Sequence, residues 1–489
     1  MKRVLAFDFG ASSGRAILGC FDGEKITLEE VHRFSNDPVS VNGVFYWDVL
    51  RLFHEIKQGL LKAKAAGGFD SVGIDTWGVD FGLLDEDGRL LENPVHYRDA
   101  RTTGYIGKSA AYIAPERLYG ITGIQFMECN TCFQLLSLKE NRPELLKRAK
   151  HLLFMPDLLS YFLTGKMVSE YSIATTSGMI DIQKHDWSDE ILSALGLERE
   201  LFEPIVKTGA VIGKLSDALC EELGLPAADV IAVAGHDTQS AITAVPCAEG
   251  DFAFISSGTW SLFGTEPDAP IINETSMRYN FTNEGGYDYV TGFLKNICGL
   301  WLIQESRRQW KREGKEYSFA ELEKLALESA PFACFIDPDA PQFASPGDLP
   351  GRIRDYCRQT GQHVPRTTGE VVRCIYESLA MKYRQVFAGL QDCTGKRFSQ
   401  INIVGGGTKD GLLCAMAACA CGVPVYAGPT EATVLGNVAM QLIAQGELPD
   451  IRSARVCIAD STALKHYAPK DEALWAAAYE AFLAATNKA

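Results

Sequence analysis

Apolar and polar positions follow a simple plan at the start of the chain. Residues 4–7 form a short apolar run, which predicts a buried strand, and a second apolar run begins at residue 16. Between the two runs lie an acidic residue, glycines, serines and an arginine. The pattern predicts a strand, a tight turn and a second strand, followed by a further strand over residues 26–34.

The next apolar positions have the period of a helix. They follow Asp48, a residue type that favours the N-cap position, and Gly67-Gly68 end them. The apolar positions are Val49, Leu52, Phe53, Ile56 and Leu60. Another strand is predicted within residues 69–81. Strands that meet directly, then a helix, then a strand favour a mixed five-stranded sheet flanked by helices over a doubly wound dinucleotide fold.

The opening plan returns in the second half of the chain. Residues 251–264 again predict a strand, a turn of small and hydroxyl residues, and a second strand. The repeat predicts two similar halves, an N-terminal domain of residues 1–245 and a C-terminal domain of residues 246–489. Residues 104–223 are predicted to be mainly helical. Helices are also predicted near residues 369–390 and from residue 471 onward.

Composition narrows the possible partners. The chain has 489 residues, 46% of them hydrophobic and 22% charged, as expected for a two-domain globular protein. A net charge of −15 argues against nucleic acids and anionic membranes as partners. No apolar run approaches a membrane span, and Asp8 interrupts the only run near the N-terminus, so we expect a cytoplasmic protein. Nothing in the sequence decides the oligomeric state.

The cysteines are expected to be small buried hydrophobes rather than a disulfide framework. There are 14 of them, scattered along the chain. Cys129 and Cys132 have the spacing of a metal-ligand pair, but no second pair or nearby histidine pair completes a zinc site.

The first turn carries groups that suit a phosphate. Gly10 and Gly14 would let the backbone turn without a Cβ penalty, so that N–H groups converge on an anion. Ser12, Ser13 and Arg15 add donors. Asp8 beside a phosphate calls for Mg²⁺ or a metal-bound water as its partner. An ordinary glycine-rich turn is the alternative interpretation.

Two later turns carry further candidates. Asp237 follows the strand predicted at residues 229–234 and lies where a helix begins, so its carboxylate would be held by the first-turn amides and point out of the sheet edge. A simple cap is the alternative. Gly405-Gly406-Gly407 would admit a flat ring against the backbone; a tight strand-to-helix turn is the alternative interpretation. A Walker A loop is excluded because Thr102 precedes Gly107-Lys108-Ser109 where a glycine is needed.

Taken in order, these turns resemble those of the FGGY carbohydrate kinases over the whole chain. The family has two actin-, Hsp70- and hexokinase-like domains of the ribonuclease H-like class, with a cleft between them. The motifs are Asp8-Phe9-Gly10-Ala11-Ser12-Ser13-Gly14-Arg15, Gly235-His236-Asp237-Thr238, Ser256-Ser257-Gly258-Thr259-Trp260-Ser261 and Gly405-Gly406-Gly407.

A finer set of stretches resembles the family members that phosphorylate L-rhamnulose. These stretches include Trp47-Asp48, Asp75-Thr76-Trp77-Gly78-Val79-Asp80-Phe81, Gly123-Ile124-Gln125-Phe126, Met155-Pro156-Asp157, Asn283-Glu284-Gly285-Gly286 and Lys295-Asn296-Ile297. The resemblance implies ATP-dependent phosphorylation of L-rhamnulose at O1, giving L-rhamnulose 1-phosphate and ADP. Kinases for L-fuculose, L-ribulose, D-xylulose or another polyol are the alternative, as is a non-catalytic actin-like nucleotide sensor.

The resemblance also implies roles for individual residues. ATP would be contacted by Ala11, Ser12, Ser13, Gly14, Arg15, Thr259, Gln304 and Gly406. The sugar would be contacted by Gly78, His236, Asp237, Thr238 and Asn296. Asp8 would hold Mg²⁺ through water, and Asp237 would be the general base, a role for which a carboxylate of ordinary pKa suffices because the transition state of phosphoryl transfer is loose.

Overall fold

The computed structural model describes residues 1–247 and 251–486. Its strands are β1 (Lys2–Phe9), β2 (Ser13–Phe21), β3 (Ile26–Ser35), β4 (Val39–Val41), β5 (Val44–Tyr46), β6 (Ser71–Thr76), β7 (Phe81–Leu84), β8 (His151–Phe154), β9 (Ser169–Glu170), β10 (Ile180–Asp181), β11 (Asp186–Trp187), β12 (Ile205–Val206), β13 (Ala210–Lys214), β14 (Asp229–Ala232), β15 (Ala253–Ser257), β16 (Trp260–Thr265), β17 (Thr282–Gly285), β18 (Thr291–Cys298), β19 (Ile401–Val404), β20 (Val425–Ala427) and β21 (Lys465–Tyr467).

The helices lie singly or in runs between these strands, and one follows the last strand. They are α1 (Val49–Ala65), α2 (Tyr105–Ser109), α3 (Pro115–Thr122), α4 (Thr131–Asn141), α5 (Pro143–Arg148), α6 (Met155–Thr164), α7 (Tyr171–Thr175), α8 (Asp189–Leu195), α9 (Asp217–Leu223), α10 (Asp237–Thr243), α11 (Glu274–Tyr279), α12 (Trp301–Arg312), α13 (Phe319–Leu327), α14 (Leu349–Gln359), α15 (Thr368–Thr394), α16 (Gly411–Cys421), α17 (Ala432–Ala444), α18 (Ile451–Ser461) and α19 (Glu472–Thr486). None of the described helices is long and apolar enough to cross a membrane.

The chain forms two compact units, and neither is a single stretch of sequence. The first unit contains Met1–Gly250, Glu266–Phe293 and Ala432–Thr462. The second contains Asp251–Thr265, Leu294–Glu431 and Ala463–Ala489. The division into domains of residues 1–245 and 246–489 stays a prediction.

The sheet of the first unit explains where polar residues gather. Its strand order is β13-β14-β6-β1-β2-β3. β1, β6 and β14 are parallel, whereas β2, β3 and β13 run antiparallel to their neighbours. The carboxyl ends of the parallel strands therefore meet at one edge. The mixed sheet was predicted, but the five strands expected in each half were wrong: this sheet has six, because the short antiparallel strand β13 adds to β14, and the sheet that contains β15 and β19 has seven.

Helix α1 forms where the apolar period predicts it. Its N-cap residue Asp48 accepts a hydrogen bond from the backbone N–H of Arg51 at 3.3 Å. Leu52, Ile56 and Leu60 are almost completely buried and belong to the same core as Phe7 of β1. The helix therefore covers one face of the sheet through the residues that carry its apolar period.

Helix α17 comes from far along the chain and packs against β1 and β6. Gln441 Nε2 donates to the carbonyl of Leu5 at 3.1 Å, and Ser71 Oγ donates to Gln441 Oε1 at 2.7 Å. These buried polar groups satisfy one another inside the core, where an unpaired group would cost about 1–3 kcal/mol. Residues 432–462 are thus built into the first unit.

The middle of the chain forms a second core in the first unit. Helices α2 to α9 lie between residues 105 and 223, as the sequence predicted. Their apolar faces bury Leu135, Leu136, Ile173 and Ile191 completely. This helical region carries the side chains that later support the turn after β6 and the turn after β14.

The second unit repeats the plan of the first. β15 and β16 form an antiparallel hairpin, β15 and β19 are parallel, and β20 and β21 continue the sheet. The long helix predicted near residues 369–390 is α15, which begins with a capping box between Thr367 and Glu370. The predicted C-terminal helix is α19, which packs against α15 and α16.

Candidate active site

Three carboxylates lie at the edge where the parallel strands of the first unit end. Asp8 and Asp75 are Cα partners near the ends of β1 and β6. Asp237 begins α10, just after β14. Asp8 is 8% exposed and Asp75 is completely buried. Roles were predicted for Asp8 and Asp237, whereas Asp75 belongs to a stretch that resembles the family and had no predicted role.

The first turn is braced by side chains. The N–H of Gly10 donates to the carbonyl of Ser13 at 2.9 Å. Asn36 donates its backbone N–H to Ser12 at 3.1 Å and its side-chain amide to the carbonyl of Gly10 at 3.0 Å. The guanidinium of Arg15 is ion-paired with the carboxylate of Asp8. The turn thus holds Ser12 exposed at its tip.

The reason given for the two glycines of this turn was wrong. Neither Gly10 nor Gly14 is among the described residues that have a positive φ. Gly14 lies in β2 and is buried beneath the ring of Phe34, because a Cβ at residue 14 would lie 2.2 Å from Phe34 Cζ. The absence of a side chain at Gly14 therefore makes room for Phe34 and is not used to bend the backbone.

Asp75 is an acidic group in an unusual environment. Asn437 of α17 donates to Asp75 Oδ2 at 2.6 Å, whereas Asp75 Oδ1 is buried and has no hydrogen-bond partner among the described residues. Burial raises the pKa of Asp75 well above its usual range, and the charges of Asp8 and Asp237 raise it further. The sequence signal for this residue is an aspartate inside an otherwise apolar strand.

The carboxylates suit a hard cation that keeps its water. Oxygen donors of this kind are those that Mg²⁺ prefers, and a nearby cation would relieve the repulsion around Asp75. The three carboxylates do not form a group tight enough for one ion to bind all of them. Asp8 would hold Mg²⁺ through water, and the ion would supply positive charge beside the carboxylates.

Asp237 is placed to accept a proton. It is the first residue of α10, and its carboxylate accepts a hydrogen bond from Thr238 Oγ1 at 3.2 Å. Burial raises the pKa of Asp237 to about 6; the charge of His236 lowers this pKa, and that of Asp8 raises it. The side chain keeps 32% of its surface exposed, so a ligand can reach it.

One expectation about Asp237 changes as a result. The N-cap of α10 is His236, which makes no side-chain capping bond, so Asp237 is not the cap that the sequence suggested as an alternative. The pKa of Asp237 lies above the ordinary value, which would itself suffice for a general base. At neutral pH it is still mainly ionised and able to take a proton.

Gly78 and His236 come together in the first unit. A Cβ at residue 78 would lie 3.3 Å from His236 Nε2, so the glycine leaves the imidazole edge open. The next residue, Val79, has a φ of +66°, a strained conformation for a β-branched residue. Thr176 Oγ1 accepts from the N–H of Val79 at 3.1 Å, and Thr131 Oγ1 donates to its carbonyl at 2.7 Å. The helical region thus holds this turn in place.

The carboxylate of Asp80 holds the same turn through hydrogen bonds. Its Oδ2 accepts from the indole N–H groups of Trp47 at 2.6 Å and Trp77 at 3.0 Å, and from the backbone of Tyr97 at 3.0 Å. Its Oδ1 accepts from Gln134 Nε2 at 3.1 Å. Burial raises the pKa of Asp80 to about 6. Four donors hold one carboxylate, which makes this network a rigid base for Gly78.

The turn after β14 is supported in a similar way by Glu170. Its Oε2 accepts from the N–H of Gly235 at 3.0 Å and from Ser172 Oγ at 2.5 Å. Ser172 Oγ in turn accepts from the N–H of His236 at 3.3 Å. Thr238 is buried in the first turn of α10. The backbone of residues 235–238 is therefore fixed by buried side chains.

In the second unit, the turn between β15 and β16 is braced by a helix. The N–H groups of Leu300 and Trp301 donate to the carbonyls of Gly258 and Thr259 at 3.1 and 3.0 Å. Thr259 Oγ1 donates to Gln304 Oε1 at 3.4 Å. The structure therefore brings the predicted ATP-binding residues Thr259 and Gln304 together.

The three consecutive glycines differ in the space around them. Gly405 has a φ of +85°, and a Cβ there would lie 3.0 Å from the carbonyl oxygen of Ser257. A Cβ at Gly407 would lie 2.0 Å from Ser257 Oγ. A Cβ at Gly406 would meet nothing within 4 Å. Only Gly406 borders open space, so the flat patch expected from all three glycines is narrower than predicted.

The remaining candidates are placed as follows. Asn296 is half-buried in β18, in the part that belongs to the second unit. Burial raises the pKa of both Cys129 and Cys132 to about 12, so both remain neutral thiols. Within residues 1–247 and 251–486, the cysteine, histidine and acidic side chains close enough to hold one metal ion are Cys334, Cys357 and Cys374, whose ligand atoms lie within 4.8 Å of one another.

Two family models match most of the chain. The N-terminal domain of the FGGY family of carbohydrate kinases matches residues 3–244, and the C-terminal domain of the same family matches residues 253–445. A rhamnulokinase of Bacteroides thetaiotaomicron is 46% identical over 479 residues, 98% of each chain. A rhamnulokinase of Halalkalibacterium halodurans is 44% identical over 96% of this chain and 100% of its own.

Solved structures share the fold at lower identity. Xylulose kinase from Lactobacillus acidophilus superposes with a TM-score of 0.80 at 16% identity, covering 99% of this chain and 97% of its own. Glycerol kinase from Plasmodium falciparum, solved with ADP, gives a TM-score of 0.77 at 16% identity, covering 99% of this chain and 98% of its own. These likenesses confirm the two-domain α/β fold class predicted from the sequence.

Proposed function

This chain belongs to the FGGY family of carbohydrate kinases, and we propose that it transfers the γ-phosphoryl group of ATP to O1 of L-rhamnulose. The products are L-rhamnulose 1-phosphate and ADP. The observation that carries the assignment of substrate is identity of 44–46% to rhamnulokinases over almost the whole chain. The arrangement of Asp237 beside His236 and Gly78 supports the chemistry.

Asp237 is the general base in this proposal. The O1–H proton passes to the carboxylate while O1 forms its bond to the γ-phosphorus and the bond from that phosphorus to the bridging β–γ oxygen breaks. With a pKa of about 6 the carboxylate is close to the pH at which it works, which favours efficient proton transfer. In the closed complex, O1 should lie roughly 2.6–3.2 Å from Asp237.

The sugar is held by side chains and backbone that the first unit keeps rigid. Gly78 and His236 would bind one side of the ketose, Thr238 would contact it from the first turn of α10, and Asn296 would complete its contacts from β18. Rigid placement is a large part of the catalytic effect, since a fixed geometry avoids the entropy cost of bringing the reactants together.

In this proposal, residues of several turns contact ATP. Ala11, Ser12, Ser13, Gly14 and Arg15 would face its phosphates in the first unit. In the second unit, Thr259 and Gln304 would contact the nucleotide from the hairpin and α12, and Gly406 would lie against the adenosine. The open space at Gly406 supports this, because a ring can approach its backbone without meeting a side chain.

Mg²⁺ would be held through water by Asp8. When bound, the ion supplies positive charge that neutralises the phosphate oxygens. The residues of this chain supply the other contacts. Arg15 is ion-paired with Asp8 and fixes its carboxylate, while the braced turn of residues 10–13 presents its donors.

The proposal is tested by sugar-dependent release of ADP in the presence of Mg²⁺ and ATP. The panel contains L-rhamnulose, L-fuculose, L-ribulose, D-xylulose and glycerol, and we expect a clear preference for L-rhamnulose. Turnover with a different sugar would support kinase activity and reject L-rhamnulose as the substrate. Binding of ATP with no sugar-dependent turnover would favour a nucleotide sensor instead.

A further inference from the structure

The Asn283-Glu284-Gly285-Gly286 stretch contains a buried acid to which the mechanism gives no role. Glu284 is 5% exposed in β17, and its Oε2 lies 3.0 Å from His236 Nδ1. On the other edge of the same imidazole, Nε2 lies 3.6 Å from Asp237 Oδ1. The ring of His236 thus lies between the carboxylates of Glu284 and Asp237.

The strand around Glu284 is fixed on both sides. The side chain of Asn283 donates to the carbonyls of Gly123 and Ile271, each at 3.1 Å, and accepts from the N–H of Ile271 at 2.7 Å. The N–H of Gly285 donates to Thr175 Oγ1 at 2.9 Å. The backbone of Glu284 therefore has little freedom to move.

The carboxylate itself is also oriented. Gln239 Nε2 from α10 donates to Glu284 Oε2 at 3.3 Å. Gln239 fits there because residue 292 is glycine: a Cβ at that position would lie 2.8 Å from Gln239 Nε2. Glu284 is thus aimed at His236 by contacts that do not involve the substrate.

On the basis of the proposed function, we propose that Glu284 is a positioning residue for sugar phosphorylation. Its negative charge, 3.0 Å from His236 Nδ1, favours the doubly protonated ring, and the ring then presents its Nε2–H to a sugar oxygen beside Asp237. Glu284 touches neither sugar nor nucleotide and acts through His236. The chemistry it serves is a ketose hydroxyl placed between a donor and a base.

The charges around His236 support a protonated ring. Three acids face it: Glu284 from β17, Asp237 from α10 and Glu170 at the end of β9. Burial alone lowers the pKa of His236, but these carboxylates outweigh burial, Glu284 most of all, and the pKa ends above its ordinary value. An imidazolium next to Asp237 in turn favours the ionised carboxylate.

The test compares Glu284→Gln with the wild type over a range of pH. Because the neutral amide no longer favours the imidazolium, His236 loses its charge and the pKa of Asp237 rises. We expect kcat for L-rhamnulose to fall by up to about 100-fold, since a misplaced donor near the reacting atoms has effects of that size. The acid limb of kcat/KM should move to higher pH, and the KM for ATP should stay the same.

Two variants control for a structural effect. Glu284→Asp keeps the charge, so the acid limb should return toward its wild-type position even if kcat stays low. Glu377→Gln is the matched control: Glu377 is 1% exposed and ion-paired with Arg373 in α15, so the same neutral change removes a buried charge outside the candidate site. Its acid limb should not move. An unmoved acid limb in Glu284→Gln would overturn the proposal.

A measurement without turnover makes the test independent of the substrate. Ring nitrogens are observed by NMR in protein labelled with ¹⁵N-histidine, and His236→Gln identifies the His236 signals. We expect the ring of His236 to lose its second proton at a higher pH in the wild type than in Glu284→Gln. A wild-type ring that loses this proton below the usual range of histidine would refute the idea even if no variant folds. Failure of L-rhamnulose turnover alone would reject the proposed substrate and leave this result standing.

Discussion

The two units share a strand arrangement but carry different chemistry at the same place. Each has an antiparallel hairpin and a parallel neighbour, β1–β2 with β6 and β15–β16 with β19. In the first unit the parallel pair brings Asp8 next to Asp75. In the second, the corresponding strands pair Ser256 with Val404 and lead into glycines. The same strand arrangement thus carries acidic residues in the first unit, and hydroxyl residues and glycines in the second.

The difference shows that function lies in the residues at the strand ends and not in the sheet. Carboxylates can accept a proton and attract a cation, so the first unit suits the reacting hydroxyl. Glycine and threonine offer backbone and hydroxyl contacts without charge, so the second unit suits a nucleotide. Four experiments test this contrast, beginning with the largest expected effect.

The largest effect is expected from a test in which one aspartate of each unit is replaced by asparagine. Asp237→Asn removes the proposed base, so kcat should fall by about 100- to 10,000-fold while ATP affinity is nearly unchanged. Asp410→Asn makes the same change at the N-cap of α16, where Asp410 accepts from the N–H of Leu413 at 3.0 Å. Asparagine caps helices equally well, so this variant should keep its turnover. Comparable losses in both variants would contradict the contrast.

The pH profile is the next test. Protonated Asp237 cannot accept the O1 proton, and its pKa of about 6 means that the active form is lost as the pH falls through that value. An ordinary aspartate would remain ionised to about pH 4. We therefore expect kcat/KM to drop about tenfold per pH unit below 6. A profile that stays flat to pH 5 would argue against Asp237 as the base.

The glycines of the second unit provide a paired test of stability and binding. Gly407→Ala should lower the free energy of unfolding by about 1–3 kcal/mol, because the new methyl group would collide with Ser257. Gly406→Ala should change it by less than about 0.5 kcal/mol yet weaken ATP binding. Urea denaturation and nucleotide titration measure the two effects. If Gly406→Ala binds ATP normally, the adenosine does not lie there.

The smallest effect is expected at Val79. Relief of its positive φ should gain about 1–2 kcal/mol in Val79→Gly, and the greater freedom of glycine in the unfolded chain should cost about 0.5–1 kcal/mol. The free energy of unfolding should therefore change by less than about 1.5 kcal/mol. The KM for the sugar should rise, because Gly78 loses its rigid neighbour. An unchanged KM would show that strain at Val79 does not serve the sugar site.

Sequence reasoning succeeded where a feature depends on neighbours along the chain. Asp48 and the apolar residues after it gave α1, and the fold class and family were confirmed. It failed where the reason lay across the sheet. Gly14 was expected to let the backbone turn without a Cβ penalty, but its missing side chain makes room for Phe34 of β3. Asp75 and Glu284 stood in quoted motifs without roles, because their partners are distant in sequence.

The sequence by itself determined the strand–turn–strand units, the main helices and the order of candidate turns, since these follow from spacing of apolar residues and from local caps. Only the tertiary structure placed Asn437 against Asp75, Glu284 against His236 and Ser257 against Gly407. Such contacts depend on strand register and on helices that return from far along the chain. A local pattern cannot encode them, because the residue types on each side are compatible with many partners until packing selects one.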